Sequence, residues 1–285
     1  MPDAARLRAE YDAQLRGRVS ARLPAGVQVE RDGPLLRFLG RERRGFVDYR
    51  DLAGLEGAAL DELIARQVRV FAARGEPFEW KLRGHDEPAD LARRLRAAGF
   101  VAEDEETVMV ATSAQAAVAP RLPAGVGLAE VGERGELERI EAMEAAIWDD
   151  DGRRLADRLA AERAADPDAL AIVVAESGGE VVCAGWVRFE SGSEFATLWG
   201  GGTLPGWRGR GIYRALVAYR ASVALARGFR LLEVDASDAS RPILARLGFV
   251  AVTTTTPFCW SPAPGLAADS PLARGMRRPR ESADL

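Results

Sequence analysis

The stretch Thr203-Leu204-Pro205-Gly206-Trp207-Arg208-Gly209-Arg210-Gly211-Ile212-Tyr213-Arg214-Ala215-Leu216-Val217 joins the end of an apolar strand to the start of an amphipathic helix. Pro205 stops the strand, because it has no N–H to give to a ladder. Glycines at 209 and 211 let the backbone come close to a ligand and turn its N–H groups inward. The helix opening near Ile212 adds the positive end of its dipole, so the junction is suited to an anion. Arg208, Arg210 and Arg214 bring charge matched to phosphate oxygens. A Walker-type Gly-Lys-Ser/Thr is absent, and only Gly209-x-Gly211 remains of a dinucleotide fingerprint.

Working outward, the order of elements is strand (126–131), two helices (136–147 and 152–165), then strands 169–176, 180–190 and 194–204. Gly178-Gly179 makes the first two of these strands a hairpin. After the glycine-rich turn come a helix with Ile212, Leu216, Tyr219 and Val223 on one face, strand 231–234, helix 241–247 and a final strand to Trp260.

Much of this order appears twice. Arg-Leu-Pro-Ala-Gly-Val stands at 22–27 and again at 121–126. A helix carrying Leu60, Leu63, Ile64, Val68 and Phe71 ends in Arg-Gly, as the Ile212 helix does, and strand 78–82 and helix 89–97 follow it. Gly99-Phe100-Val101 then matches Gly248-Phe249-Val250, each glycine a natural helix C-cap. The chain reads as a degenerate tandem duplication, with the helices of 136–165 inserted in the second copy. The expected layout is a first domain over 1–113, a linker over 114–120, a second domain over 121–261 and an extended or disordered tail over 262–285. The fold class is α+β: two domains, each a mixed, mostly antiparallel sheet flanked by helices, the first reduced.

At 285 residues the chain exceeds the roughly 100–200 of one domain. A net charge of −4 argues against a nucleic-acid partner, which needs a basic field. Two cysteines, Cys183 and Cys259, and one histidine, His85, offer little for a zinc site or a disulfide framework. No signal-like stretch opens the sequence and no apolar run reaches the ~20 residues of a membrane span. The expectation is a cytoplasmic protein with no metal, acting as a monomer or homodimer. The single lysine, Lys81, and the lack of asparagine go with an Arg- and Ala-rich composition, so arginine density alone carries less weight here.

The glycine-rich segment resembles the pyrophosphate-binding motif of the GNAT superfamily of N-acetyltransferases, Arg/Gln-x-x-Gly-x-Gly/Ala. Arg208 and Gly211 match, whereas Tyr213 stands where the family has Gly or Ala. Leu247-Gly248-Phe249 is similar to the family's late signature, and the resemblance covers 126–260. It implies that backbone amides of Gly209–Tyr213, with Arg208, Arg210, Ile212 and Arg214, hold acetyl-CoA as co-substrate. It further implies that Gly202, Thr203 and Leu204 pair with the pantetheine arm, and that a strand-end amide such as that of Leu204 steadies the oxyanion. The acceptor would be a primary amine of a small molecule or peptide that attacks the thioester directly.

The tyrosine that many relatives place in the helix before Leu-Gly-Phe is Leu244 here, and their pantetheine-holding asparagine is missing, with Ser237 or Ser240 as replacements. Asp235 and Glu194 are the candidate catalytic carboxylates, with Glu190 beside them. Asp149-Asp150-Asp151 either attracts a cationic amine or caps the next helix. Trp148 and Trp186 either line a pocket or belong to the core. The first copy has Tyr49 to Gly57 in place of the motif, with acids at the helix start that repel a pyrophosphate. Its expected role is to wall the acceptor cleft, and His85-Asp86-Glu87 reads as a turn with a helix cap. A non-catalytic module that senses acyl-CoA is the alternative function.

Overall fold

A computed structural model of the chain describes residues 3–20, 23, 26–41, 43–119, 121–148 and 154–262. Asp149-Asp150-Asp151 and all of the expected tail but residue 262 lie outside the described residues. The first elements are helix α1 (Ala4–Gln14), strands β1 (Gln28–Asp32), β2 (Leu35–Leu39) and β3 (Gly45–Asp48), and helix α2 (Gly57–Ala73). Strand β4 (Phe78–Arg83), helix α3 (Leu91–Ala97) and strands β5 (Val101–Ala102) and β6 (Glu106–Thr112) follow. Next come α4 (Ser113–Ala116), β7 (Val126–Val131), α5 (Arg134–Trp148), α6 (Leu155–Ala165), β8 (Leu170–Ser177) and β9 (Glu180–Phe189). The chain continues with β10 (Phe195–Thr203), α7 (Ile212–Ala226), β11 (Leu231–Ala236), α8 (Arg241–Arg246) and β12 (Val250–Trp260).

The described residues divide into two compact units, one of Val108–Val252 and one of Ala5–Thr107 with residues 253–262. Both divisions fall inside strands, β6 and β12, so each unit takes the end of the other copy's last strand. In the amino-terminal unit the order β1-β2-β3-β4-β12 is antiparallel except for the parallel pair β3/β4. Its core packs Leu60, Leu63, Ile64 and Phe71 of α2 against Phe78, Trp80, Phe100 and Phe258. In the other unit the order is β6-β11-β10-β9-β8-β7, with β7 to β10 antiparallel and β10/β11 parallel. The architecture is α+β, with a mixed sheet flanked by helices in each unit.

The duplication is visible at the level of single hydrogen bonds. In α3 the Phe100 amide donates to Leu95 O across Gly99 at φ 91°, and in α8 the Phe249 amide donates to Leu244 O across Gly248 at φ 89°, both at 3.1 Å. The long helices end alike. Glu76 N–H reaches Phe71 O across Gly75, and Phe229 N–H reaches Ala224 O across Gly228. A left-handed glycine after the last turn lets the chain satisfy final carbonyls and, at Phe100, Phe229 and Phe249, send an aromatic residue back to the core.

The carboxy-terminal sheet has two covered faces. Leu137, Ile140, Met143, Leu155 and Leu159 of α5 and α6 cover Leu170, Ile172, Val174, Ala184 and Trp186. On the opposite face Val217, Ala221 and Ala224 of α7 and Leu244 of α8 cover Ala196, Leu198, Leu232, Val234 and Ala236. The Gly178-Gly179 turn joins β8 to β9 with Ser177 opposite Glu180, as the sequence predicts. The stretch expected as a linker is partly helical: Thr112 Oγ1 accepts the Gln115 amide at 3.3 Å, and α4 buries Ser113 and Ala116. A hydroxyl at the N-cap is enough to start a turn that the Ala/Ser/Gln composition conceals.

Cys183 of β9 is fully buried, and burial pushes its thiol up to about 11. A thiol alkylates only as thiolate. Iodoacetamide at pH 8 is therefore expected to leave Cys183 unmodified in the native chain and to label it fully in guanidinium, as read by mass spectrometry of the tryptic peptide. Native labelling at the rate of a free peptide thiol would show that this part of the sheet opens.

Candidate functional site

The glycine-rich turn leaves β10 through a short 3-10 turn at Pro205–Trp207 and enters α7 with Gly211 as N-cap at φ 80°. Gly209 has φ 72°. Both angles are open to glycine and costly for other residues. The first bond of α7 is Ala215 N–H to Gly211 O at 3.0 Å. The amides of Ile212, Tyr213 and Arg214 lack an acceptor within the helix, the usual condition of a helix start, and they point out of its end. No carboxylate caps them. The turn thus collects backbone donors at the positive end of a fifteen-residue helix.

The three arginines play different parts. Arg208 donates through Nε to Thr203 O at 3.0 Å, tying the turn to the strand. Arg210 lies over the Trp207 ring at 4.9 Å, and Arg214 is exposed beside the helix start.

A slot leads to this turn. Strands β10 and β11 pair in parallel only over Phe195–Thr197 and Leu231–Glu233, and beyond Thr197 they part. On its other edge β10 stays paired with β9 as far as Thr203, with a bulge between Gly200 and Gly202. The Leu204 amide donates to Val182 O at 3.0 Å, so it is spent within the sheet and does not offer the donor that the sequence led one to expect there. Successive amides of a strand point to opposite edges. The Thr203 amide is therefore the one turned to the open edge, where Arg208 takes the carbonyl of the same residue. The Thr203 side chain is buried and donates to Cys183 Sγ.

Each of the three glycines accepts a neighbour. A Cβ at Gly200 would stand 2.6 Å from the Trp186 ring, one at Gly201 would stand 2.6 Å from the Tyr213 ring, and one at Gly202 would stand 2.8 Å from Glu144 Oε1. Tyr213, the departure from the family pattern, fills the space a side chain at 201 would take. Its hydroxyl is turned to Ser240 at the start of α8, and burial raises its pKa, so it remains a neutral phenol. Ser237 Oγ accepts the Ser240 amide at 3.3 Å in the same cap.

The candidate carboxylates separate. Glu194 is held in a two-pronged ion pair with Arg230, both bonds 2.6 Å, at the zipped end of β10. At ~3.3 Å per residue that is roughly 25–30 Å from Thr203. Glu190 accepts the Thr197 hydroxyl at 3.3 Å, and Thr197 in turn accepts Trp199 Nε1 at 2.8 Å. Asp235 is half-buried near the end of β11. Leu232, Val234 and Ala236 face α7 and α8, so alternation puts Glu233 and Asp235 on the α5/α6 face, with Thr197 and Trp199.

Two side chains of this site carry no local signal in the sequence. Glu144 of α5 lies over Gly202, its Oε2 accepting Trp148 Nε1 at 2.6 Å. Arg220 of α7 is buried and donates to Trp186 O at 3.1 Å and Trp199 O at 2.9 Å, tying the two strands just before the bulge. Burial lowers its pKa. Both meet the strand through tertiary packing, across 58 and 21 residues of chain in the closest case of each, a separation no motif spans.

The amino-terminal unit differs at the equivalent place. Glu56 is the N-cap of α2, which sets a carboxylate where the second unit has glycine. His85-Asp86-Glu87 forms more than a turn. His85 Nδ1 meets Thr253 Oγ1 at 2.7 Å, Arg16 pairs with Asp86 at 2.5 Å and with Asp12 at 3.0 Å, and Tyr49 donates to Asp86 at 2.5 Å. Asp12, Arg16, Tyr49, His85 and Asp86 line a cavity of about 540 Å³, and Arg16 is paired there with both aspartates. Among the described residues no group of three His, Cys, Asp or Glu is placed to hold a metal ion, and no helix is long and apolar enough to cross a membrane.

Residues 136–249 match the family model described as Acetyltransferase (GNAT) family. No curated protein matches the chain. Among solved structures the chain is similar to a GCN5-related N-acetyltransferase from Kribbella flavida, with 20% identity, 91% of this chain and 96% of that chain covered, and a TM-score of 0.63. A GCN5-related N-acetyltransferase from Sphaerobacter thermophilus aligns at 16% identity over 80% of this chain and 76% of that chain, with a TM-score of 0.62. A tandem GNAT protein from the clavulanic acid biosynthesis pathway aligns at 14% identity over 92% and 94%, with a TM-score of 0.61. At these identities the likeness is one of fold.

Proposed function

We propose, from the premise that residues 136–249 form a GNAT acetyltransferase domain, that this chain transfers an acetyl group from acetyl-CoA to a primary amine. The observation that carries the proposal is the slot between the parted strands β10 and β11, which runs into the donor-rich start of α7. A pyrophosphate fits there, because the amides of Gly209 to Arg214 are donors, the helix end is positive and Arg214 is exposed. An extended amide-bearing arm fits the open edge of β10, where the Thr203 amide lacks a strand to pair with. With the arm in place, the bulge at Gly200–Gly202 brings backbone without side chains to the reacting thioester.

Of the expected carboxylates, Asp235 stands on the α5/α6 face of the parted strands, where its charge favours the approach of a cationic amine. Glu194 fits a structural role, closing the zipped end of the pair with Arg230.

Calorimetry with acetyl-CoA tests the proposal, followed by detection of free thiol in the presence of amines. Binding is expected near micromolar, about −8 kcal/mol, with thiol release that depends on the amine. Binding without release under any amine returns the reading of a module that senses acyl-CoA. A well-folded chain that does not bind acetyl-CoA would overturn both.

A further inference from the structure

The strand β10 is a thin wall at one point. Upstream, Ala196 and Leu198 face α7 and α8, while Thr197 and Trp199 face α5 and α6. At 200–202 three successive residues lack side chains, and Tyr213 packs on the wall from the α7 side while Glu144 and Trp186 pack on it from the other. At 200–202 β10 therefore offers bare backbone, with no side chain of its own, to a ligand on the α5/α6 face.

The α5/α6 face at this point is both aromatic and acidic. Trp148 and Trp199 are 51% and 45% exposed, unusual for a ring of this size, and Trp186 lies against Gly200 between helix and strand. The Trp199 ring already receives one cation, Arg188, at 4.6 Å, held there by Glu162. Glu144 is fixed by the Trp148 indole, with its other oxygen over Gly202. Glu233 and Asp235 share this face on β11. Indole faces and carboxylates together favour a cation, since a ring quadrupole attracts positive charge and carboxylates repel negative charge.

We propose that Glu144, Trp148, Trp186 and Trp199 form the acceptor site, that the acceptor arrives as a primary ammonium ion, and that Glu144 takes its proton. The assignment rests on the acyl-transfer reading given above. The Glu144 carboxylate accepts one proton from the ammonium, leaving a neutral amine beside Gly202. The amine lone pair forms the C–N bond at the thioester carbonyl carbon, and the C–S bond breaks with its electrons on sulfur. The second proton of the nitrogen passes to that sulfur, giving an amide and a thiol, and Glu144 returns its proton to water. Asp235 then acts by its field, keeping the amine at the strand edge.

The test has two arms that fail separately. In the first, intrinsic tryptophan fluorescence is titrated without cofactor, using methylamine, 2-phenylethylamine, spermidine and glucosamine, with 2-phenylethanol as the uncharged counterpart of the second. Saturable quenching by at least one ammonium, absent with the alcohol and lost in Glu144→Gln, is expected. In the second arm acetyl transfer to the same amines is followed against pH. Glu144→Gln is expected to lower kcat/KM near neutral pH by about 100-fold or more and to make the rate follow the fraction of free amine as pH rises, leaving the acetyl-CoA affinity as it was. Trp199→Ala is expected to raise the amine KM by about tenfold with little change in kcat. Quenching or transfer by none of the four amines, or a Glu144→Gln enzyme with the wild-type pH profile, overturns the assignment. If acetyl-CoA itself fails to bind, the acyl-transfer reading falls, while the ammonium titration still decides whether the pocket exists.

Discussion

Gly211→Glu is expected to lower acetyl-CoA affinity at least a hundredfold while leaving the fold in place. Gly211 is the N-cap of α7 at φ 80°, and the nearest atom to a Cβ built on it is Arg121 O at 3.8 Å, so there is room for a side chain. The backbone angle alone costs about 1–2 kcal/mol for an L-residue, which Gly211→Ala measures by itself. The glutamate adds two further effects. Its carboxylate can bond to the unclaimed amides at the helix start, taking the donors from the ligand. It also stands within a few ångströms of the pyrophosphate, where like charges at an effective dielectric near 20 repel by about 4 kcal/mol. The alanine variant is therefore expected to lose about 1–2 kcal/mol of stability and to bind nearly as wild type does, and the glutamate variant to show no heat of binding at accessible concentrations. Unfolding temperatures of the two variants should agree within a few degrees. A glutamate variant that binds as the alanine one does would place the pyrophosphate elsewhere.

The same region shows where sequence reasoning reaches and where it stops. Gly209 and Gly211, the strand before them and the helix after them are local features: a left-handed glycine, a proline and an apolar periodicity each act within a few residues. So do the paired helix ends at Gly99 and Gly248 and at Gly75 and Gly228, and the duplication follows from them. The chemistry on the far side of the strand is different in kind. Glu144 sits in a helix whose apolar positions, Leu137, Ile140 and Met143, are all that its sequence declares. Its approach to Gly202 depends on how α5 packs over the sheet and on a bulge that shifts the register of β10 by one residue. Tyr213 reads as a fault in the motif until Gly201 is seen beneath its ring. The substitution and the glycine explain each other, though neither does so alone. Leu204 shows the converse, since its position suggests a free strand-end amide and only the pairing with Val182 reveals that it is spent.

A fragment of residues 3–107 is expected not to fold cooperatively, although it contains most of the first copy by sequence. Strand β4 pairs along Thr255–Trp260 over six positions, from Arg83 to Phe78. Phe258 is 1% exposed and belongs to the same core as Phe78, Trp80 and Phe100, while the Trp260 ring stands 5.8 Å from that of Phe78. Losing these residues removes a fully buried phenylalanine, a large part of a tryptophan and the hydrogen-bonding partner of an apolar strand. Truncating one such phenylalanine costs about 3–5 kcal/mol, a large share of the roughly 5–15 kcal/mol that holds a domain together. The uncovered edge of β4, with Phe78, Trp80 and Leu82, would also invite pairing between chains. Fusing residues 253–262 to the fragment through a flexible Gly/Ser linker long enough to reach β4 is expected to restore a single sharp thermal transition by circular dichroism. In the intact chain Phe258→Ala should lower the unfolding temperature by several degrees. A sharp, reversible transition in the bare 3–107 fragment, unchanged by the fusion, would show that the first copy closes its sheet without the returning strand and that the sharing of β12 is not needed for its folding.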